Sequence, residues 1–241
     1  MSESCLIDVA IAKTEKYASR ESGDTVELIE RPGGGFSIVM IDGQGSGRAA
    51  KTLSLLLSSK AVALVKEGVR DGVVARATHD YLFAFRHGQV SATLDLLSLD
   101  LKTSTVVITR NAESPMLLFD DQGARVLDTS AGPIGRYRWT KPAVSQFPMT
   151  PGVQLVLFTD GIPHSGRKKN LPAPDFLEIA IAQLGKQRSA QQIADAVLDI
   201  AMDRDGFHPG DDMAVVALSL LPMDQTSAPV IRRMQAQIPV M

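Results

Sequence analysis

Apolar and polar positions along the chain follow two rhythms, and the change between them divides it into elements. "CLIDVAIAKT" (5–14) alternates loosely, "TVELIER" (25–31) and "FSIVMI" (36–41) follow, and each predicts a strand. "PGGG" between the second and third supplies a turn. From Arg48 to about Lys66 the rhythm becomes helical, with Ala49, Leu53, Leu56, Leu57, Val62 and Val65 on one side. A second helix is predicted over Gly72 to Arg86. Short strands then return: "SATLDLLSLDL" (91–101), "TVVITRN" (105–111), "PMLLFD" (115–120) and "ARVLD" (124–128). The connections Lys102–Ser104, Ala112–Ser114 and Asp121–Gly123 are too short for parallel crossovers, so an antiparallel meander is predicted for these strands. "PAVSQFPM" (142–149) and "VQLVLFTD" (153–160) continue the pattern. Helices near Pro174–Leu184 and Ala190–Met202 and a last strand, "MAVVALSL" (213–220), complete it.

Strands, two helices, many strands, two helices and a strand do not make the alternating rhythm of a doubly wound sheet. The order implies an α+β fold, with antiparallel sheets carrying helix pairs on their outer faces. Without repeats or low-complexity linkers, residues 1–221 read as one domain. Residues 222–241 lack periodicity and read as a tail or short appended segment.

Composition narrows the function. The 241 residues are 44% hydrophobic and 22% charged, with a net charge of −2. That is ordinary for a globular protein and gives no basic footprint for nucleic acid. A single cysteine, Cys5, excludes an internal disulfide and a cysteine metal cluster. The N-terminus has no signal-peptide pattern, and no apolar run reaches membrane-spanning length. A cytoplasmic protein without a membrane partner is the expectation.

"FSIVMIDGQGSGRAAKT" (36–52) is the first stretch that suggests chemistry: a strand, a glycine-rich turn and a helix start. As a dinucleotide loop it lacks the last glycine, where Arg48 stands, and Asp42 would face a pyrophosphate without a cation. As a nucleoside-triphosphate loop it carries Ala50 where glycine should precede Lys51. A third reading makes Asp42 the point of the motif. A carboxylate at a strand end reaches a divalent cation, and glycine lets the next carbonyl approach. That reading requires further acids in similar places. "LVLFTDGI" (155–162) supplies Asp160, "HPGDDMAVVAL" (208–218) supplies Asp211 and Asp212, and "SGDTVEL" (22–28) supplies Asp24. Any single Asp-Gly is an ordinary turn; the set is not. Oxygen ligands without histidine or cysteine favour Mg²⁺ or Mn²⁺.

The motifs "SGD…DGQGSG…ATLDLLSLDL…AGPIG…FTDG…GDDMAVV" resemble, in order and from about Ser22 to Leu220, the metal-dependent (PPM, type 2C) protein serine/threonine phosphatases. The bacterial sporulation and stress-response branch is most similar, in particular its stand-alone RsbX-type members that act on stressosome proteins. The resemblance implies a four-layer α/β/β/α sandwich with a two-metal Mn²⁺ or Mg²⁺ centre at one end. It implies that Asp42 bridges the metals, the Gly43 carbonyl binds one, and Asp160 and Asp211 hold the other. Asp24 would be a ligand or orient an attacking water, and Asp212 would rank below Asp211. Arg20 stands near the place of the family's phosphate-binding arginine, at an unusual spacing. Gln44 replaces a histidine that many members carry as a proton donor, and glutamine cannot act as a general acid. His164 is a candidate replacement, although a surface histidine is the simpler reading. "SAGPIG" (130–135) resembles the family's glycine-proline turn and is expected to be structural, Asn111 in the strand connection "RNAESP" (110–115) to help shape the site, and "RKKN" (167–170) to be a solvated or partner-facing charge run. The implied partner is a phosphorylated regulatory protein of the stressosome or anti-sigma-factor antagonist type, met by a monomer. Two alternatives are an inactive phosphatase-fold binding module, which the intact acid set opposes, and a nucleotide-binding oxidoreductase, which needs no acids beyond the loop.

Overall fold

The computed structural model of the chain describes residues 5–185, 188–223 and 231–238. Its elements follow the order read from the apolar rhythm. They are β1 (Cys5–Thr14), β2 (Asp24–Glu30), β3 (Phe36–Gly43), α1 (Gly47–Lys66), α2 (Asp71–Arg86) and β4 (Ala92–Asp100). Then come β5 (Thr105–Asn111), β6 (Met116–Asp120), β7 (Gly123–Leu127), β8 (Ala143–Pro148), β9 (Gln154–Phe158), α3 (Phe176–Gln183), α4 (Ala190–Asp205) and β10 (Met213–Pro222). Residues 231–238 form neither helix nor strand, and the rest of the expected tail, 224–230 and 239–241, lies outside the described residues.

Two five-stranded sheets stack face to face, one ordered β1-β10-β9-β6-β7 and the other β2-β3-β4-β5-β8. Every strand pairing among the described residues is antiparallel. Three apolar layers hold the stack together. Leu53, Leu57, Ala61 and Val65 of α1 recur every four residues and pack with Val74 and Leu82 of α2 onto Val39, Ile41, Leu94 and Leu96. Ile193, Ala194, Val197 and Ala201 of α4 pack with Ile179 and Ala180 of α3 onto Val156, Phe158, Val215 and Ala217. Ile38, Met40, Leu97, Ile108, Leu118, Leu155, Val216 and Leu218 fill the space between the sheets. Central strands are therefore apolar on both faces, which is why "MAVVALSL" reads as a continuous run. Complete burial of one side chain such as Leu57 contributes about 1.5–3 kcal/mol. The result is the four-layer α/β/β/α sandwich that the resemblance implied.

Two helix ends differ from the apolar reading. Helix α3 starts only at Phe176, because the Asp175 carboxylate caps it by accepting from the Leu177 and Glu178 N–H groups. Helix α4 runs three polar residues beyond Met202, because Gly206 at φ 67° ends it in the left-handed conformation. Its start is a capping box between Ser189 and Gln192.

One pair of charges lies inside the sandwich. Asp95 and Arg110 face each other across β4 and β5, at 2% and 1% exposure. Arg110 Nε donates to Asp95 Oδ1 at 2.8 Å, and Nη2 donates to the Ser114 carbonyl at 2.6 Å. Burial pushes the Asp95 carboxyl above its ordinary pKa, and the charge and hydrogen bond of Arg110 draw it back down. Met40 lies opposite Asp95 on the other side, two residues before Asp42 on the same strand, so the pair sits just beneath the acidic end. Breaking such a pair strands a buried charge, whereas replacing both partners does not. Arg110→Met is expected to lower urea-unfolding stability by about 3–5 kcal/mol. The double change Asp95→Leu with Arg110→Met should cost clearly less, and an equal or larger loss would refute this account of the pair.

Candidate metal centre

Strand direction gathers the acids. In antiparallel sheets, the ends of β3 and β9 and the starts of β2 and β10 share one end of the sandwich. Asp24 opens β2 directly opposite Asp42 near the end of β3. Its N–H turns to Ser22 Oγ and its carbonyl to Lys13 and Lys51, all away from β3. That is a non-hydrogen-bonded antiparallel pair, in which Cα atoms stand about 4.5 Å apart and side chains are close. Asp160 follows β9, and Asp211 and Asp212 precede β10.

The oxygens of these acids are not equally free. Thr159 Oγ accepts from the Ala214 N–H at 2.9 Å, so its one proton goes to Asp24 Oδ2, at 2.8 Å. Asp24 Oδ1 is buried with no partner among the described residues. Asp212 is committed instead: Oδ1 accepts from the Lys16 N–H and Oδ2 from the Gly23 N–H, both at 2.8 Å. It ties the β1–β2 loop, and hence Asp24, to the start of β10. Among the described residues, Asp211 accepts only from the Asp212 N–H, at 3.0 Å.

Electrostatics mark the same groups. Burial, followed by the charges of Asp24, Asp160, Asp211 and Asp212, pushes the Asp42 carboxyl up to about 9. Burial is also the main cause at Asp24, pushed up to about 7 despite the Thr159 hydrogen bond. Asp160 is raised by burial, against the pull of His164 and a side-chain hydrogen bond with Asp42. Among the described residues, no three such side chains close into a ready cage for one ion. They nevertheless fit a hard divalent cation: the donors are all oxygen, one buried oxygen lacks a partner, and the mutual repulsion is what a cation relieves.

The glycines have steric reasons. A Cβ on Gly43 would meet the Ala50 carbonyl oxygen at 2.5 Å, and one on Gly161 the Asp212 carbonyl oxygen at 2.1 Å. A Cβ on Gly23 would lie 2.8 Å from that of Ala50. Gly161 lets the loop after β9 touch the Asp212 backbone, and Gly23 and Gly43 let the segments bearing Asp24 and Asp42 touch the first turn of α1.

The remaining candidates fall in different places. Gln44 is bound to the first residues of the next strand: its N–H donates to the Ser91 carbonyl at 3.1 Å, and Oε1 accepts from the Ser91 N–H at 2.8 Å and hydroxyl at 3.1 Å. His164 Nδ1 stands 3.6 Å from Asp160 Oδ2, one helical turn on, and is a third exposed. Arg20 is exposed and makes no hydrogen bond among the described residues. "SAGPIG" braces the neighbouring strand end: Ile134 bridges Ala92, the Gly135 N–H donates to His79 Nδ1 at 3.1 Å, and Asn111 Nδ2 donates to the Gly132 carbonyl at 2.9 Å. "RKKN" forms a short 3-10 turn, Arg167–Lys169, against α4.

Several contributors were not singled out from the sequence. Asp205 Oδ1 accepts from the Gly166 N–H at 2.6 Å and Oδ2 from the Gly210 N–H at 2.7 Å, joining the loop after Asp160 to the loop before Asp211. Thr159 and Lys51 lacked any signal beyond adjacency to a motif. Arg110, a charge inside "TVVITRN", broke its strand's apolar pattern and was open to notice.

Residues 32–221 match the sequence profile described as Stage II sporulation protein E (SpoIIE). The Stage II sporulation protein E of Priestia megaterium is 24% identical over 222 residues, covering 89% of this chain and 36% of that protein. The chain thus spans about a third of the curated relative it matches. Among solved structures, the PP2C phosphatase domain of SpoIIE from Bacillus subtilis, with a fragment of its regulatory domain, has a TM-score of 0.77 at 20% identity, over 90% of this chain and 64% of that one. RsbX, solved in complex with magnesium, has a TM-score of 0.67 at 15% identity, over 91% and 98%. Phosphatases of this fold are metal-dependent. No helix among the described residues is long and apolar enough to cross a membrane. Through a match that runs from the turn before β3 to the end of β10, the chain belongs to the SpoIIE family of PP2C-type phosphatase domains.

Proposed function

We propose that this chain is a Mn²⁺- or Mg²⁺-dependent serine/threonine phosphatase acting on a phosphorylated bacterial regulatory protein, of the stressosome or anti-sigma-factor antagonist type. The observation that carries the reading is the set Asp24, Asp42, Asp160 and Asp211 at one sandwich end, with Asp24 Oδ1 buried and unpartnered. In this reading Asp42, Asp160, Asp211, Asp24 and the Gly43 carbonyl hold the cations, and Asp212 braces the site through its two amide bonds. Bound cations supply an activated water for in-line attack on phosphorus and neutralise charge on the phosphoryl oxygens. Gln44 stays with Ser91 and offers no acidic proton. His164 stands beside Asp160 as a titratable group for the leaving hydroxyl. Cys5 lies on the edge strand β1, remote in sequence from every acid, and takes no part. RsbX bound magnesium in its own structure. The SpoIIE and RsbX likenesses support a partner of the sporulation or stress-response class.

Asp42→Asn is expected to abolish Mn²⁺-dependent hydrolysis of a phosphoprotein while circular dichroism stays native. Full activity in that variant would remove the two-metal reading, and no Mn²⁺-dependent turnover by the parent itself would favour the binding-module alternative.

A pH dependence follows from the buried acids. A carboxyl raised to about 7 or 9 in the folded protein keeps a proton that the unfolded chain releases near 4. Stability of chelator-treated protein therefore falls as pH rises from about 4 to about 9. Melting curves in chelator should show this decline, with Asp42→Asn flattening it and melting higher than the parent at pH 8. A decline of equal steepness in both proteins would contradict the assignment of the effect to Asp42.

A further inference from the structure

Two ammonium groups meet at one backbone oxygen beside the acid cluster. Lys13 Nζ, at the end of β1 in one sheet, donates to the Asp24 carbonyl at 2.8 Å. Lys51 Nζ, in the first turns of α1, donates to the same carbonyl at 2.8 Å and to Thr25 Oγ1 at 3.0 Å. Thr25 Oγ1 in turn lies 2.7 Å from Ser54 Oγ on α1. Strand β2 is a sheet edge, so the outward Asp24 carbonyl has no strand partner. Surface lysines ordinarily stay solvated, and two like charges sharing one acceptor repel each other. Their convergence here links the opposite sheet, the outer helix layer and the backbone of one acid.

We propose that Lys13 and Lys51 are positioning residues that fix Asp24 for cation binding. Thr159 holds the Asp24 side chain by Oδ2, and the lysines hold its main chain by the carbonyl. Between these two anchors the buried Oδ1, unpartnered among the described residues, is held in place. Because Lys51 lies on the helix that follows the Asp42 loop, the same contact keeps Asp24 and Asp42 in step. The inference rests on the metal-centre reading above.

The sign of the effect separates a brace from a mere neighbouring charge. Deleting a cation near a cation site strengthens binding through space. Losing an anchor that orients a ligand weakens it, by roughly 10-fold or more for groups behind a metal ligand. The experiment measures Mn²⁺ affinity by calorimetry, without substrate, for the parent, Lys51→Met, Lys51→Arg, Lys13→Met and Asp42→Asn. Melting temperature checks folding, and KM for para-nitrophenyl phosphate at saturating Mn²⁺ checks the substrate site. The brace requires about 10-fold weaker Mn²⁺ binding in both methionine variants, partial recovery in Lys51→Arg, and unchanged KM. Unchanged or tighter binding in the methionine variants, with Asp42→Asn still losing Mn²⁺, overturns the brace alone. Should Asp42→Asn bind Mn²⁺ as the parent does, the metal centre itself fails. Lys13 makes no other side-chain hydrogen bond among the described residues, so Lys13→Met decides the matter if Lys51→Met does not fold.

Discussion

Everything at the working end of this molecule depends on holding several carboxylates together against their own repulsion. Asp42 faces the charges of Asp24, Asp160, Asp211 and Asp212, in a place where burial already disfavours ionisation. No hydrophobic contact offsets this directly. The stability comes from elsewhere, from the three apolar layers of the sandwich, and the backbone delivers it to the site through short, stiff connections. Strand register sets Asp24 opposite Asp42, and the missing Cβ atoms of Gly23, Gly43 and Gly161 let the acid-bearing segments pack closely. A side chain on Gly161 would push the loop after β9 off Asp212, and one on Gly23 or Gly43 would push the segments bearing Asp24 and Asp42 off the first turn of α1.

The acids divide by what their oxygens already do. Asp212 and Asp205 each accept two backbone N–H groups and so serve as clamps, joining loops that are distant in sequence. Asp24 is divided, one oxygen held by Thr159 and the other left open. A carboxylate saturated by amides has little capacity left for a cation, whereas an open oxygen in a buried place is costly until something binds it. By this criterion Asp212 is committed as a clamp, whereas the adjacent Asp211 carboxylate keeps capacity for a cation.

The apolar rhythm alone announced the strand and helix order. The short connections announced antiparallel pairing correctly for β4 with β5 and for β6 with β7, but Ala112–Ser114 carries the chain from one sheet to the other, so β5 pairs with β8 and not with β6 and the expected four-strand meander is divided between the sheets. The rhythm worked because β10 and β4 are buried on both faces and α1 on one, so burial wrote itself into residue type. The acid-bearing turns were legible too, since an aspartate ending an apolar run is conspicuous. What stayed hidden was the partner of each group. Nothing in "LVLFTDGI" says that Thr159 spends its proton on Asp24. Nothing in "GRAAKT" says that Lys51 reaches back to a carbonyl on another strand. Those facts depend on which chain segments meet across the layers, and a lysine or threonine has the same local propensities whether or not it meets one. The end of α4 was missed for a related reason: its last residues are polar, and only the left-handed Gly206 marks where the helix stops.

Gln44 shows how a residue that departs from a family pattern acquires a different task. Many members carry histidine there, where a free imidazole can move a proton. In this chain the glutamine is bound to Ser91 by its backbone and by its side-chain oxygen, which accepts twice. Those three bonds fasten the loop after Asp42 to the start of β4, where Gly43 pairs with Ala92 and Ala92 pairs with Ile134. The position carries a fixed strut in place of a mobile acid. In the proposed hydrolysis, proton transfer to the leaving oxygen falls to a group outside this loop. His164 is on the opposite sheet's loop, beside Asp160 and a third exposed, where an imidazole can reach both the acids and solvent.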